Sequence, residues 1–294
     1  MRFPGIIPAV TTPFDATGAI DTDALGRNLA GLLDAGVHGF VATGTMGEAG
    51  SLSTAERRTV VAATVAAASG RVPVIAGVSS GTPAASIGYA ADAAAEGADA
   101  IMLLPPLGYR ADPRETVAFY RAVAEATDLP IMAYNNPEAS GVDMNAAMIG
   151  RIAAEIDQVV AIKECSGDAR RIAALLNDTE LEVLVGGDDW ALEGFCAGAT
   201  GWVSGVADVA PADCVALYEH CRAGELEAAR EVYRRLLPLA RFDMTPKLVQ
   251  YFKAAQDEAG LAGGPCREPR LPLTTDEREE LAAAMAVLRE GVPA

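Results

Sequence analysis

The sequence predicts an α/β fold, a (β/α)8 barrel followed by a C-terminal helical extension. Short apolar runs recur eight times along the chain, each followed by a stretch typical of a helix. Their starts are separated by roughly 20 to 34 residues, the length of one βα unit. The runs are continuously apolar instead of alternating, as expected for parallel strands covered on both faces. Eight such units indicate a closed barrel; the alternative is a doubly wound sheet, which usually has fewer units.

The predicted elements follow one another on this repeat. The strands begin, in order, at Gly5, Gly39, Val72, Ala100, Pro130, Val159, Leu181 and Gly201. Ala-rich amphipathic segments lie between them, and one starts at Ser53 or Thr54 followed by Glu56, the pattern of a capped helix. Glycines typical of helix ends precede several strands, as in AGVHGF and AGATGW. We expect the barrel core over residues 1–207, its final helix to about residue 222, and a C-terminal helical domain over 223–294.

Composition and charge narrow the classes of function. The 294 residues carry a formal net charge of −17, which argues against nucleic acid and anionic membrane surfaces as partners. No apolar stretch is long enough to span a bilayer, and the opening MRFPGIIPAV lacks the apolar region of a signal peptide. The five cysteines are scattered and free of CxxC spacing, which is typical of reduced thiols in a cytoplasmic protein. We expect no disulfide framework and no zinc site.

Two common kinds of site are not expected in this chain. Its two histidines, His38 and His220, have neither a carboxylate nor a second histidine at ligand spacing, so a His-based metal site and a Ser-His-Asp triad are not expected. Gly44, Gly47 and Gly50 do not match the dinucleotide fingerprint, so no nicotinamide site is expected. The chemistry must come from other residues.

Lys163 is the residue on which the functional prediction depends. It stands at the end of the apolar run VVAIKEC, in a chain with only two other lysines. A lysine in such a run is costly to bury unless its charge is suppressed or used. In a barrel, the end of a strand is where active sites lie. Desolvation there would lower the lysine pKa from about 10.4 toward neutrality, giving an amine able to form a Schiff base with a carbonyl. The alternative is that the side chain only reaches the surface.

Polar residues follow two other predicted strands. Tyr134 ends the fifth strand, and its phenol is the nearest obvious proton carrier. The turn TGTMGEAG, which includes Gly44 and Thr45, follows the second strand and precedes a helix, so its backbone N–H groups are suited to a carboxylate. At the carboxyl end of a parallel barrel these groups would face Lys163.

Several nearby polar residues have a structural interpretation. We expect Glu48 to accept hydrogen bonds from loop N–H groups. Asp188 and Asp189 follow the seventh strand, where a helix N-cap is expected. Cys165 is expected to be a core residue that alternates away from Lys163 along the strand.

At these motifs the sequence resembles the dihydrodipicolinate synthase/N-acetylneuraminate lyase family of class I aldolase-like enzymes. The resemblance runs along the whole chain, in GIIPAVTTPFD, ATGTMGEAGSLS, RVPVIAGV, YNNP, IKECSGD, GGDD and AGATGWVSG. It implies the same barrel with a C-terminal helical domain, and a small-molecule 2-oxo or 2-imino acid as substrate. It also implies a covalent Schiff base on lysine with no separate cofactor, and a homotetramer of two tight dimers.

The resemblance assigns roles by position. Lys163 would be the Schiff-base lysine, Tyr134 would move protons and position the substrate carboxylate, and the Thr45 hydroxyl would act beside them. Val203, on the eighth strand, would offer a backbone carbonyl near the Schiff base, and Gly187 would line the pocket of the second substrate. The residues implied in substrate binding are Gly44, Thr45, Met46, Gly187 and Val203.

Three positions depart from the synthase pattern. Met46 replaces a threonine that links Tyr134 into a hydroxyl relay. Gly108 stands where the synthase has a tyrosine donated across the dimer, with Tyr109 one position away. Ala139 replaces an arginine that grips the distal carboxylate of aspartate semialdehyde. Losing these contacts should weaken the lysine-pathway reaction.

The departures favour a branch that acts on modified 2-oxo or 2-imino acids. The best match is the deaminase that converts 1-pyrroline-4-hydroxy-2-carboxylate to 2-oxoglutarate semialdehyde and ammonia. The alternatives are a 2-keto-3-deoxy sugar-acid aldolase or dehydratase, and a genuine 4-hydroxy-tetrahydrodipicolinate synthase. Two other classes stay open: a metal-dependent barrel enzyme using Glu48, Asp188 and Asp189, and a degenerate barrel that serves as a ligand sensor.

Overall fold

A ring of eight parallel strands forms the centre of the molecule. The computed structural model describes residues 2–290. The strands are β1 (Gly5–Pro8), β2 (Phe40–Ala42), β3 (Val74–Gly77), β4 (Ala100–Leu103), β5 (Ile131–Asn135), β6 (Val159–Glu164), β7 (Glu182–Val185) and β8 (Gly201–Ser204). Each begins within two residues of its predicted start.

The order of the strands closes the sheet on itself. Hydrogen-bonded neighbours run β1-β8-β7-β6-β5-β4-β3-β2, all in parallel. At the remaining seam, Ala9 and Val41 form a parallel bridge, and the Val10 N–H donates to the Val41 carbonyl at 3.0 Å. The predicted (β/α)8 barrel is therefore confirmed, and the alternative of an open doubly wound sheet is excluded.

Helices cover the outside of the barrel and continue beyond it. They are α1 (Thr22–Asp34), α2 (Thr54–Ala68), α3 (Pro83–Ala95), α4 (Pro113–Ala124), α5 (Pro137–Ser140), α6 (Ala146–Glu155), α7 (Ala169–Asp178), α8 (Ala191–Cys196), α9 (Pro211–Ala223), α10 (Leu226–Ala240), α11 (Leu248–Glu258) and α12 (Thr275–Glu290). The predicted cap of α2 is confirmed: Ser53 is its N-cap, and the Glu56 carboxylate accepts the Ser53 N–H at 2.8 Å.

The core explains why the strand sequences are apolar throughout. Strand residues such as Ile6, Phe40, Ile75, Ile101 and Trp202 are essentially without exposed surface, because one face packs inside the barrel and the other packs under the helices. Burying one such side chain stabilises the fold by about 1.5–3 kcal/mol.

The C-terminal helices form the predicted extension. Helix α10 packs against α9 and α12. A short 3-10 turn, Arg241–Met244, joins α10 to α11 and lies against the turn that follows β7. The division into a barrel over 1–207 and a helical domain over 223–294 stays a prediction. Within residues 2–290, none of the helices has the length and apolar character that crossing a membrane requires.

Candidate active site

A cavity of about 340 Å³ lies at the carboxyl ends of the barrel strands. This is the end at which barrel enzymes carry out their chemistry. Every residue predicted for the site lines this cavity: Lys163, Tyr134, Gly44, Thr45, Met46, Gly187 and Val203. The fold thus brings together groups from the ends of β2, β5, β6, β7 and β8. The individual roles assigned to them stay predictions.

Lys163 lies in β6 opposite Tyr134 of β5, and only 7% of its surface is exposed. Its Nζ is 4.4 Å from the centroid of the Tyr134 ring, so the side chain stays in the cavity and does not extend to solvent. Space for it depends on Gly186. A Cβ atom at that position would lie 2.8 Å from Lys163 Cε and 2.1 Å from the sulfur of Cys165. A residue with no side chain is therefore required beside the amine.

The protonation state of Lys163 differs from the expectation. Burial lowers the pKa of the amine, but the acidic groups Tyr134, Cys165, Asp243 and Asp188 together raise it above its ordinary value. Tyr134 and Cys165 make the larger contributions to this rise, and Asp243 and Asp188 add to it. The expectation of a lowered pKa is wrong, since it included desolvation and not the acids that the fold places nearby. In the free protein Lys163 is an ammonium.

Tyr134 is a neutral phenol beside this amine. Burial raises its pKa to about 12, while the charge of Lys163 acts in the opposite direction. Asn136 Nδ2 donates to the phenol oxygen at 3.1 Å, which also acts to lower the pKa, but burial outweighs both effects. A buried phenol of this kind is able to donate a proton to negative charge that develops on a neighbouring substrate.

The turn after β2 has the geometry of an anion site. Thr43 and Glu48 bound it in the left-handed region, at φ 53° and 54°. Within residues 2–290, the backbone N–H groups of Gly44, Thr45 and Met46 donate no hydrogen bond, and all three residues line the cavity. Unpaired N–H groups that face a cavity in this way are suited to a substrate carboxylate.

Glu48 ties this turn to the C-terminal helices. Its carboxylate is fully buried and accepts from Lys253 Nζ at 3.0 Å and from the Arg267 backbone N–H at 3.0 Å. Glu48 is thus a structural acceptor, as expected, although its partners come from the far end of the chain. A carboxylate paired in this way is not free to act as a catalytic acid.

The other two lysines are occupied elsewhere. Lys253 Nζ donates to the Thr12 and Pro265 carbonyls, at 2.9 and 2.6 Å, besides Glu48. Lys247 Nζ pairs with Glu277 at 2.5 Å. Lys163 is the only lysine of the described residues that lines the cavity.

The two acids after β7, Asp188 and Asp189, do not cap a helix. The Asp188 carboxylate accepts from the Trp202 indole N–H at 2.9 Å and from the N–H groups of Gly205 and Val206 at 3.1 and 2.6 Å. Helix α8 begins with no side-chain cap. The N-cap prediction is wrong because the turn after β8 presents buried N–H groups, which need an acceptor more than a helix end near solvent does.

Cys165 follows β6 and lines the same cavity as Lys163. The expectation that it alternates away from the lysine is wrong, because residues i and i+2 of a strand point to the same face. The thiol is buried, and burial raises its pKa to about 12. The residue that points to the other face is Glu164, which accepts from Asn135 Nδ2 at 3.1 Å.

The positions that depart from the synthase pattern leave the cavity with one basic group. Met46 and Ala139 line it, and they supply neither a hydroxyl nor a cation. Gly108 has no side chain, and Tyr109, with 49% of its surface exposed, does not line the cavity of its own chain. Of the residues that the structure describes, Lys163 is the only basic one on the cavity wall.

The C-terminal part contributes groups that the sequence analysis missed. Asp243, Met244 and Thr245 line the cavity, and Asp243 Oδ2 accepts the Asp188 backbone N–H at 3.2 Å. The stretch FDMTP between two amphipathic segments is a usable turn signal. Nothing local in it indicates that the turn reaches the barrel mouth.

The carboxylates suggested for a metal-dependent enzyme do not form a ligand group. Glu48 is bound by Lys253, and Asp188 is bound by three N–H donors. Within residues 2–290, no three His, Cys, Asp or Glu side chains are placed to hold one ion. The donor chemistry here therefore gives that alternative no support.

Comparison with known sequences identifies relatives along the whole chain. A profile of the dihydrodipicolinate synthetase family matches residues 2–288. A protein of Methanothrix thermoacetophila named 4-hydroxy-tetrahydrodipicolinate synthase is 38% identical over 282 residues, with 95% of each chain covered. An uncharacterized DapA-like lyase of Halobacterium salinarum is 35% identical over 285 residues, covering 97% of this chain and 93% of that one.

Solved structures give the same result. The 4-hydroxy-tetrahydrodipicolinate synthase of Methylacidiphilum fumariolicum SolV superposes with a TM-score of 0.95 at 29% identity, covering 99% of this chain and 97% of that chain. A putative dihydrodipicolinate synthetase of Pseudomonas aeruginosa superposes with a TM-score of 0.93 at 38% identity, covering 98% and 100%.

Proposed function

This chain belongs to the dihydrodipicolinate synthetase family of class I lyases, and we propose that it acts on a small 2-oxo or 2-imino acid with a single carboxylate. Lys163 is the nucleophile, and the covalent imine takes the place of a separate cofactor. The observation that carries the proposal is the cavity wall: among the described residues it has one lysine, one turn with unpaired N–H groups and no second cation.

The arrangement supports a sequence of steps on such an acid. The N–H groups of Gly44 and Thr45 hold the carboxylate, which places C2 near the amine. An imine at C2 acidifies the protons on C3, because the iminium accepts electron density. The Tyr134 phenol moves protons at this carbon, and the backbone carbonyl of Val203 accepts from groups on the imine. Fixed dipoles in a buried cavity are effective because they need no reorganisation during the reaction.

The substrate that fits best is 1-pyrroline-4-hydroxy-2-carboxylate. It has one carboxylate, a C2 imine that exchanges with a lysine amine, and a C4 hydroxyl that leaves as water once C3 is deprotonated. Hydrolysis then releases ammonia and 2-oxoglutarate semialdehyde, with a net consumption of one water. An apolar Met46 packs against a compact ring, and Ala139 suffices because no second carboxylate needs a partner.

A second candidate is 4-hydroxy-tetrahydrodipicolinate synthase, favoured by the names of the relatives at 36–38% identity. This reaction needs a group that receives aspartate semialdehyde. Two arginines, Arg57 and Arg270, line a neighbouring cavity that shares Thr45, Tyr134 and Ala139 with the first. Arg57 donates to the Ala49 carbonyl at 2.8 Å, and Arg270 lies 3.7 Å from the Glu48 carboxylate. The Arg57 Nε is buried without a hydrogen-bond partner among the described residues and is open to an anion, but neither guanidinium lines the cavity of Lys163, so we rank this candidate second.

The test is a substrate panel with separate readouts. The purified protein is given the cyclic imine, a 2-keto-3-deoxy sugar acid, or pyruvate with aspartate semialdehyde. We expect ammonia and, through a coupled dehydrogenase, 2-oxoglutarate semialdehyde from the first. Cleavage of the sugar acid to pyruvate without ammonia from the imine would identify a sugar-acid aldolase. Condensation with kcat/KM in the ordinary range of about 10⁴–10⁸ M⁻¹s⁻¹ would identify the synthase.

A pair of variants tests the missing cation directly. Ala139→Arg restores a guanidinium on the cavity wall, and Ala139→Leu adds bulk without charge. We expect Ala139→Arg to weaken turnover of the monocarboxylate and to improve the condensation relative to Ala139→Leu. If both variants change the condensation equally, charge at position 139 does not select the substrate.

We also propose a homotetramer, a dimer of dimers, and a cytoplasmic setting. The assembly rests on the family resemblance. The location rests on five cysteines that are all free in the structure, one of them exposed, as suits a reducing compartment. A non-reducing gel of freshly lysed cells tests the thiols: a disulfide-dependent shift would contradict the location.

A further inference from the structure

A carboxylate from the C-terminal helices reaches the site of imine formation. Asp243 belongs to the 3-10 turn Arg241–Met244, and it lines the cavity together with Lys163 and Tyr134. Its neighbours Met244 and Thr245 also line the cavity, so this turn forms one wall of it. The barrel strands alone would leave that wall open.

Only one oxygen of the Asp243 carboxylate accepts a hydrogen bond from the described residues. Its Oδ2 accepts the Asp188 backbone N–H at 3.2 Å, and within residues 2–290 its Oδ1 accepts no hydrogen bond. Among these residues it forms no ion pair, so its oxygens lie more than 4.0 Å from Lys163 Nζ, and a proton would pass between the two groups through one bridging water. Burial raises the pKa of Asp243 to about 6, while Lys163 acts to lower it. The titratable groups facing it are Lys163 on β6, Tyr134 on β5, Cys165 after β6, and Asp188 and Asp189 after β7.

The chemistry needs a base at this place. Lys163 must lose a proton before it attacks a carbonyl, because only the neutral amine is nucleophilic. Tyr134 and Cys165 keep their protons at neutral pH, since burial raises each pKa to about 12. The Asp188 carboxylate already accepts hydrogen bonds from three N–H donors. Glu138 lines the cavity but is exposed to solvent. Of the carboxylates that line the cavity, Asp243 is thus the one that is not exposed to solvent.

We propose that Asp243 is the acid–base residue that takes the proton from Lys163 and returns it to the hydroxyl that leaves during imine formation. This assignment rests on the proposed function, because it presupposes a Schiff base on Lys163.

The proton balance closes with no other reactant. The Lys163 ammonium gives one proton, through the bridging water, to the Asp243 carboxylate, and the neutral amine bonds to C2 of the oxo acid. A second proton moves from nitrogen to oxygen, which gives the neutral carbinolamine. Asp243 then protonates the hydroxyl, the C–O bond breaks, water leaves, and the nitrogen lone pair forms the iminium. Lysine begins and ends with one positive charge, and Asp243 begins and ends as a carboxylate.

The deciding variant is Asp243→Asn. The amide oxygen still accepts the Asp188 N–H, so the turn keeps its place while the base is lost. We expect imine formation with pyruvate, measured as the rate of borohydride-trapped adduct, to fall by about 10²–10⁴-fold. In the wild-type protein this rate should rise with pH through about 6, as Asp243 ionises, and that rise should be absent from Asp243→Asn.

Asp189→Asn is the matched control. Asp189 is an acid on the adjacent turn that does not line the cavity. We expect its trapping rate at high pH to match that of the wild type, and its rise with pH to lie at slightly lower pH, because the Asp189 charge acts to raise the pKa of Asp243. Thermal unfolding of all three proteins identifies any loss of fold.

Chemical rescue separates a catalytic role from a structural one. Asp243→Ala opens space in the wall of the cavity, and added formate supplies a carboxylate small enough to enter it. We expect formate to restore trapping in Asp243→Ala and to leave Asp189→Ala unchanged. An Asp243→Asn protein that traps pyruvate at the wild-type rate with the wild-type pH profile overturns the assignment. If the wild type itself forms no adduct with any acid, the proposed function fails instead.

Discussion

Gly186 is the residue whose missing side chain lets Lys163 lie in the cavity. A methyl group there would overlap the Cys165 sulfur at 2.1 Å and press on Lys163 Cε at 2.8 Å. We expect Gly186→Ala to lower the free energy of unfolding by about 1–3 kcal/mol, as overpacking does. Displacing the amine by about 1 Å should also slow imine formation by about 10²-fold.

Gly31→Ala is the control for this prediction. Gly31 lies in α1, and nothing lies within 4 Å of a Cβ built on it. Alanine in a helix should raise the free energy of unfolding by about 0.5–1 kcal/mol and leave activity unchanged. Urea denaturation and borohydride trapping measure the two effects. If Gly186→Ala unfolds with the same free energy as the wild type and forms the imine at the same rate, the side chains around position 186 can move to accommodate a methyl group, and the prediction is wrong.

At the scale of elements, a buried ion pair connects helix α11 to the turn after β2. Lys253 and Glu48 have side-chain exposures of 1% and 0%, whereas the pair between Lys247, at the start of α11, and Glu277 of α12 has 36% and 24%. We expect Lys253→Met to cost about 3–5 kcal/mol, since it leaves Glu48 buried and unpaired. Lys247→Met should cost at most about 1 kcal/mol.

The double variant Lys253→Met, Glu48→Gln tests whether the loss of stability comes from an unpaired buried charge on Glu48. Removing the buried charge along with its partner should recover part of the lost stability, and thermal unfolding measures it. Equal losses from Lys253→Met and Lys247→Met would mean that burial does not determine the contribution of this pair. Because Glu48 ends the turn that holds Gly44 and Thr45, Lys253→Met should also raise KM more than it lowers kcat.

The elements differ in how far the sequence could predict them. Strand positions were predictable because burial on both faces leaves continuous apolar runs, and the α2 cap because Ser53 and Glu56 are local. That Cys165 shares the face of Lys163 follows from the strand period alone, so this error was avoidable. The position of Asp243 and the raised pKa of Lys163 were not predictable, since both depend on how the turn after α10 packs on the barrel.

At the scale of the whole molecule, one chain contains the lysine, the phenol and the anion-binding turn. The residues proposed for imine formation therefore all belong to one chain, and the proposed tetramer would serve stability or substrate selection. We expect light scattering at micromolar concentration to give four times the chain mass. A solved relative described as a monomeric dihydrodipicolinate synthase variant superposes with a TM-score of 0.91, so this fold is compatible with a monomer as well. A mass equal to one chain at that concentration would contradict the tetramer.

The central claim is that Lys163 forms the Schiff base, and peptide mapping after borohydride reduction tests it most directly. The protein is reduced in the presence of pyruvate or the cyclic imine, digested, and analysed by mass spectrometry beside Lys163→Ala. We predict one adduct, on the peptide that contains Lys163, and a folded but inactive Lys163→Ala protein without an adduct. An adduct on Lys247 or Lys253, or turnover by Lys163→Ala, would contradict the claim.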